Sequence, residues 1–487
     1  MNISLPRATR FGVAMDPESE TVAFLSPERI KEMEPLTSDA GNATRFAMDH
    51  APDLCYVAEW GWLCWNDSNW ARDRDGEVMR RAVRTAHKMY SDAWSVPGEP
   101  LDNHLSKWAV KSQSKPRLDA MIGIAATDTS IAMRPQHFDI NPHLMAFPNG
   151  TLNLMTGDFE VANKKDYITK RMGCMYDPDA ESGLWEQCLD DWTLGNRSLR
   201  DFLQRAVGYS MTGLHREHKL FILLGEGRNG KTTLAETLQH AFGDYSGTLS
   251  VQSLLQQRTD RVPNDIAALQ GLRFVVASEP GQGRVLDASL IKLLTGGDTM
   301  SARFLHKEWF DFKPSSKIWM LANHLPIIQG VDRAIWSRML VVPFDAHFPL
   351  DAPGTIKNLD EKLLDQAKGV VAWGVRGAIE YYKRDTLDIP LEVQMAVQSY
   401  EEEMDHVIKF MRDYTIEDPN GWSPWKRIKE DYDGFCEGED VAFNLRLKDL
   451  ALGKRLDRLG FPSVKGTGNV AGRSGFRLNS IITVLGE

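Results

Sequence analysis

The stretch Phe221 to Phe242, FILLGEGRNGKTTLAETLQHAF, constrains this 487-residue chain more than any other. An apolar run, Leu220 to Leu224, breaks into a glycine-rich turn, which opens into a helical pattern with Leu234, Leu238 and Phe242 on one face. Strand, loop and helix follow one another there, and Gly225, Gly230, Lys231 and Thr232 fit the G-x-x-x-x-G-K-[ST] phosphate-binding pattern. Glycines let consecutive backbone N–H groups wrap a polyphosphate, and the helix aims the positive end of its dipole at the same charge. Lys231 is placed to reach the β and γ phosphates, and the Thr232 hydroxyl to meet magnesium.

The segments around this loop read as an α/β architecture. Three further apolar strands follow. Arg273–Glu279 ends in Glu279, at the strand edge where open α/β sheets bind ligands, a position suited to polarising a water and helping to hold magnesium. Lys317–Asn323 ends in Asn323, placed to orient that water or sense the γ phosphate. Met339–Phe344 follows Arg333 and Arg338, of which Arg338 is the candidate finger for a neighbouring subunit's site. Met300–Phe312 alternates like a hairpin with His306 and Lys307 near its tip and Arg303 on the way to it. Such a tip, pointing into a pore, would offer a lysine to a phosphate backbone.

Upstream, residues 1–42 carry scattered prolines and read as an arm. The aromatic stretch Tyr56–Trp70 reads as a hairpin around a local core, and Glu77–Trp94 as an amphipathic helix with Arg80, Arg81, Arg84 and Lys88 on a solvated face. Asp73 and Asp75 lack a third carboxylate in register, so they read as turn and helix-start charges rather than metal ligands. Asn149-Gly150 and Thr156-Gly157-Asp158 are turn signals flanking a short strand. Downstream, Glu401–Asp440 holds thirteen acidic residues against five basic, and Asn444–Arg477 eight basic against two acidic, a shift that marks a last domain. Its helix Leu447–Leu459 and glycine-spaced tail read as a helix plus β-wing, whose basic side faces DNA or docks a partner.

Composition narrows the class. A formal net charge of −10 excludes a generally basic surface, so any DNA contact is local. No apolar run reaches the roughly 20 residues of a spanning helix, and MNISLPRATR lacks the apolar core of a signal peptide; the expectation is a cytoplasmic protein without membrane contact. The five cysteines form no C-x-x-C pair and read as reduced thiols, without disulfide or zinc.

The ordered segments PNGTLNLMTG, DYITKRM, YDPDA, VGYSMTG, GEGRNGKTT, VVASEP, KLLTGGD, FKPSSKIWMLANHLP and WSRMLVVPF resemble the phage, plasmid and poxvirus primase-helicase family, from about Ala43 to the C-terminus. The resemblance implies a P-loop AAA+ motor of superfamily 3. It implies an arm at 1–42, an α+β N-terminal domain at 43–178, a helical collar for oligomerisation at 179–216 and the ATPase core at 217–346. A helical extension at 347–400 and a winged-helix-like domain at 401–487 complete the chain. The implied nucleotide contacts are Gly225, Gly227, Asn229, Gly230, Lys231, Thr232 and Thr233, with Thr232 and Glu279 on magnesium. Lys231, Glu279, Asn323 and Arg338 are the implied catalytic set, and Arg303, His306 and Lys307 the candidate DNA contacts. The implied activity is ATP-dependent helicase action by a ring, usually a hexamer, on single-stranded and forked DNA in a bacterial host. The short arm leads to the expectation of a helicase without its own primase, a separate primase or polymerase being its partner. The competing reading is an initiator or loader platform that uses ATP to assemble.

Overall fold

The computed structural model describes residues 37–94, 104–256, 264–281, 283–303, 310–329, 333–349, 356–439, 441, 443 and 445–479. They fall into two compact units, one running to Phe138 and the other from Asp139 onward, with Asp67–Asn69 belonging to the second. The resemblance implies a boundary at 178; the strands at 144–160 lie in the second compact unit, where Met145, Phe147 and Leu152 share a core with Trp185 and Phe221.

The first unit contains α1 (Asp39–His50), β1 (Leu54–Val57), β2 (Gly61–Trp65), β3 (Trp70–Arg72), α2 (Glu77–Trp94), α3 (His104–Ser112), α4 (Lys115–Ala125) and β4 (Ala132–Met133). The sheet order is β3-β2-β1-β4, antiparallel except for the β1–β4 pair. Its aromatic residues pack on one another: Trp62 lies 5.2 Å from Tyr56 and 6.1 Å from Phe46, ring to ring. Asp73 accepts the backbone N–H groups of Gly76, Glu77 and Val78 at 2.9–3.0 Å and so caps α2. The basic face of α2 is internally neutralised, Arg80, Arg81 and Arg84 by Glu77 and Lys88 by Asp49.

The second unit begins with the antiparallel meander β5 (Leu144–Phe147), β6 (Gly150–Asn153) and β7 (Phe159–Glu160), then α5 (Gly183–Trp192) and α6 (Arg197–Met211). Next come β8 (Leu220–Leu224), α7 (Lys231–Phe242), β9 (Ser246–Leu249), α8 (Asn264–Ala267), β10 (Phe274–Ala277) and α9 (Ala288–Gly296). The hairpin β11 (Met300–Ala302) and β12 (Phe310–Phe312) precedes β13 (Lys317–Ala322), α10 (Arg333–Trp336) and β14 (Met339–Pro343). Helices α11 (Leu359–Asp365), α12 (Ala367–Arg384) and α13 (Leu391–Met404) lead to α14 (His406–Tyr414), β15 (Thr415–Pro424), α15 (Trp425–Gly438), α16 (Asp449–Arg458), β16 (Ser463–Lys465) and β17 (Ala471–Leu478).

One sheet organises this unit. Its order is β14-β8-β13-β10-β9, all parallel, and the period-2 alternation of its strands feeds two cores. Phe221, Leu223, Phe274, Val276, Trp319 and Leu340 face the core shared with α5, α6 and α12, while Ile222, Val275, Ile318, Met320 and Val341 face the other. All five cysteines are free thiols; burial pushes the pKa values of Cys55 and Cys64 up to about 12. No described helix is long and apolar enough to cross a membrane.

Buried cations lock the N-terminal ends of two central strands. Lys317 donates to the carbonyl oxygens of Thr212 and Ser315, and Arg273 to those of Met211 and Leu144, both at 2.7 Å. Burial, then the neighbouring Arg273, holds Lys317 well below the usual lysine range. His215, its ring nitrogens closed off from solvent, is pushed to about 4 by burial and by Lys317. Its native pKa lies below the unfolded value, so the unfolded chain takes up a proton that the folded chain refuses. Its stabilising contribution is therefore complete above about pH 6.5 and declines as pH falls toward 4. A pH series of denaturant melts, with and without His215→Gln, is expected to show a smaller acid loss in the variant, by on the order of 2–3 kcal/mol.

Candidate nucleotide site

Strand β8 delivers the glycine-rich loop to the C-terminal edge of the parallel sheet. At Gly230 the backbone is left-handed (φ 90°), and a Cβ there would stand 2.1 Å from the Trp192 indole nitrogen; glycine alone meets both conditions. Gly225 is fixed by space, since a Cβ would sit 2.0 Å from Asn229 Nδ2 and 2.4 Å from the Phe344 carbonyl oxygen. Gly227 lies mid-loop, and Arg228 beside it is left-handed as well (φ 51°), strain of a kind concentrated at ligand-binding turns. Helix α7 then starts at Lys231 with no side chain capping it, leaving its first N–H groups for an anion. Thr232 is exposed and Thr233 half-buried at that opening.

Lys231 is only 5% exposed, and its ammonium is held by three oxygens: Gly225 O at 2.6 Å, Asn229 Oδ1 at 3.0 Å and Asn323 Oδ1 at 3.1 Å. Burial lowers its pKa, and the charge of Glu279 opposes that shift. Asn323, just past β13, donates its backbone N–H to Glu279 Oε1 (3.2 Å) and its amide nitrogen to Glu279 Oε2 (2.9 Å). Glu279 lies two residues beyond β10, so adjacent strands β8, β13 and β10 bring Lys231, Asn323 and Glu279 into one hydrogen-bonded chain. Lysine charge, an amide and a carboxylate thus meet at an open helix N-terminus, a set able to neutralise a polyphosphate and polarise a water.

Asn229 has a bracing role. It is 2% exposed, its Nδ2 donates to Phe344 O at 3.0 Å and its Oδ1 accepts from Lys231, so both ends of its amide are tied within the chain. The segment after β14 supports the loop further, with Phe344 N on Leu224 O and Phe348 N on Arg228 O. Nothing in the sequence pattern pointed to that segment.

Arg338 stands elsewhere. It precedes β14, whose Met339 pairs with Leu220 and whose Pro343 pairs with Leu224, so it sits at the sheet edge opposite the glycine-rich loop, roughly 16 Å away along the strand. Its Nε donates to Thr295 Oγ1 (3.1 Å) and its Nη1 to Ala334 O (2.6 Å). Arg303 follows β11 of the hairpin, while His306 and Lys307 lie outside the described residues. Among the described residues no cluster of His, Cys, Asp or Glu is arranged to hold a metal, and a magnesium at Thr232 and Glu279 would need phosphate oxygens and water to complete its shell.

Residues 43–194 match the family described as D5 N terminal like, and residues 223–337 match a family of unknown function (DUF5906). "Putative helicase L207/L206" of Acanthamoeba polyphaga mimivirus is 27% identical over 371 residues, covering 70% of this chain and 37% of that protein. "Putative helicase 022R" of Frog virus 3 is 28% identical over 244 residues, covering 45% and 24%. "Putative primase C962R" of African swine fever virus is 26% identical over 218 residues, covering 42% and 22%. The chain thus spans well under half the length of these relatives. Among solved structures, the NrS-1 C terminal region matches with a TM-score of 0.47 at 11% identity, covering 73% of this chain and 88% of that one. The similarity to the D5 N-terminal family is confined to that N-terminal region. With viral relatives named as putative helicases and a putative primase, the chain is similar to the primase-helicase family of phages and viruses.

Proposed function

We propose that this chain is the ATP-dependent motor of a DNA helicase, an AAA+ P-loop ATPase of superfamily 3 that assembles as a hexameric ring and translocates on single-stranded DNA. The observation that carries the reading is the convergence of Lys231, Asn323 and Glu279 at an uncapped helix N-terminus. In this reading the phosphates of ATP would take over the Lys231 ammonium now held by Gly225, Asn229 and Asn323, and Thr232 would be the residue that holds magnesium, which would supply charge neutralisation there. Asn323 and Glu279 then orient and polarise the attacking water. Arg338, at the far edge of its own sheet, acts on a neighbouring subunit's nucleotide. The β11–β12 hairpin, with Arg303, His306 and Lys307, follows the DNA strand. The strand order supports the AAA+ reading, and the helix–strand–helix–helix–strand–strand order from α14 to β17 supports a winged-helix-like last domain.

The competing platform reading, in which ATP serves assembly and the last domain docks a partner such as a separate primase or polymerase, has one observation in its favour. Four of that domain's arginines are ion-paired internally: Arg446 with Glu437, Arg455 with Asp405, Arg473 with Asp457 and Arg477 with Asp418. Hydrolysis separates the readings from a simple structural loop. Lys231→Ala is expected to weaken binding of a fluorescent ATP analogue at least about tenfold and to lower DNA-stimulated hydrolysis about 100-fold or more. Hydrolysis at the wild-type rate would remove Lys231 from the site.

A further inference from the structure

A small cavity of about 60 Å³ lies where α10, the α13–α14 joint and α16 meet, lined by Arg333, Glu401, Asp405, His406, Arg455 and Arg458 over a floor of Trp336. Most of its polar groups are already engaged. Asp405 Oδ1 accepts the N–H groups of Val407 (2.8 Å) and Ile408 (3.3 Å), capping α14, and its Oδ2 accepts from Arg455 Nε (2.8 Å) and Nη2 (2.5 Å). His406 Nε2 meets the Tyr432 hydroxyl at 2.7 Å. Asp405 and Arg455 therefore neutralise each other, and Glu401 opposes one further charge. Arg333 and Arg458 remain, both exposed and neither ion-paired among the described residues. Lys454, one turn before Arg458, continues the cationic row on the same face of α16.

We infer that Arg333 and Arg458 form a clamp for a backbone phosphate of single-stranded DNA, across the junction of the parallel-sheet core and the last helical module. A guanidinium is a planar two-pronged donor suited to phosphate oxygens, and two of them on separate elements hold one such group. The cavity exceeds the roughly 10–15 Å³ that one ordered water requires, leaving room for a phosphoryl group and solvent. A nucleotide's own phosphates are a poorer fit, because Arg333 opens the short helix that leads into the N-terminal end of β14, whereas the glycine-rich loop leaves the C-terminal end of β8. Trp336, at 6% exposure and edge-on to Tyr400, offers no free face to a base. Lys454 and Arg458, spaced by one helical turn, match a ligand with successive phosphates. The clamp rests on the DNA-motor reading and gives Arg333 a part in the DNA path, separate from nucleotide chemistry.

The test is anisotropy of a labelled oligothymidylate across a salt series, with full-length wild type, the R333Q/R458Q double variant and the R333K/R458K pair. The double Gln variant is expected to bind about tenfold more weakly, with a salt slope shallower by about 0.7 for the lost phosphate, the Lys pair recovering much of the slope. Binding of the fluorescent ATP analogue should be unchanged in both, which also reports folding. Wild-type affinity and slope in R333Q/R458Q would overturn the clamp while leaving the motor reading intact. A wild type that binds no oligothymidylate even at low salt would overturn the DNA reading itself, and the clamp with it. Should the double variant lose ATP-analogue binding as well, R458Q alone decides, since it lies outside the sheet: unchanged oligothymidylate affinity there overturns the clamp.

Discussion

Glu279→Gln is expected to bind ATP within about twofold of wild type and to hydrolyse it two to four orders of magnitude more slowly, roughly 10²–10⁴-fold. The substitution preserves shape and one acceptor oxygen, so Asn323 keeps a partner and the hydrogen-bonded chain to Lys231 stays recognisable. What it removes is the negative charge that faces the Lys231 ammonium and that, in the proposed mechanism, polarises the water. Equilibrium binding of a fluorescent analogue and phosphate release, measured on the same preparation, separate the two effects. If turnover survives, Glu279 is only a structural acceptor for Asn323, and the catalytic assignment fails. The motor reading expects the variant to assemble but lose translocation, whereas the platform reading expects its function to be largely unharmed.

Trp319→Ala is expected to cost about 3–5 kcal/mol, among the largest effects of any single truncation in the chain. Trp319 is fully buried at the centre of the parallel sheet, stacked on Phe221 at 4.4 Å and 7° and tilted against Phe274 at 5.6 Å. Its indole N–H also donates to Ser210 Oγ at 3.1 Å, tying β13 to α6. Truncation leaves a cavity and deprives that hydroxyl of its donor in one step. Because β13 also positions Asn323, ATP-analogue affinity is expected to fall together with the denaturation midpoint. Trp319→Phe, which keeps the stacked ring but not the N–H, should lose appreciably less. A midpoint unchanged by Trp319→Ala would mean that the sheet's core closes around the loss.

The physics that made parts of this chain legible is local. The glycine-rich loop, the strands starting at Phe274, Lys317 and Met339, the helix Glu77–Trp94 and the two turns at 149–158 each carry their signal in adjacent residues. Strand β9, Ser246–Leu249, escaped notice because it is a short, largely polar edge strand whose place comes only from pairing with β10. The parallel partnership of β1 with β4 joins residues about 75 apart and has no periodic trace.

Within the site, Lys231 could be named from the glycine-rich pattern and Glu279 and Asn323 from their positions at strand ends, but their mutual bonds could not, since strand order is a long-range property. The bracing of Asn229 by Phe344 has the same origin. Charge counting over the last domain overstated its basic face for a related reason. Asp405, Asp418 and Glu437 lie outside the basic stretch in sequence yet pair with its arginines in space.

Strand separation of a forked duplex by the purified protein with ATP and magnesium, beside Lys231→Ala at two salt concentrations, tests the central claim most directly. The motor reading predicts unwinding by the wild type, weaker at the higher salt, and none by the variant. ATP hydrolysis by the wild type with no strand separation at either salt would contradict it.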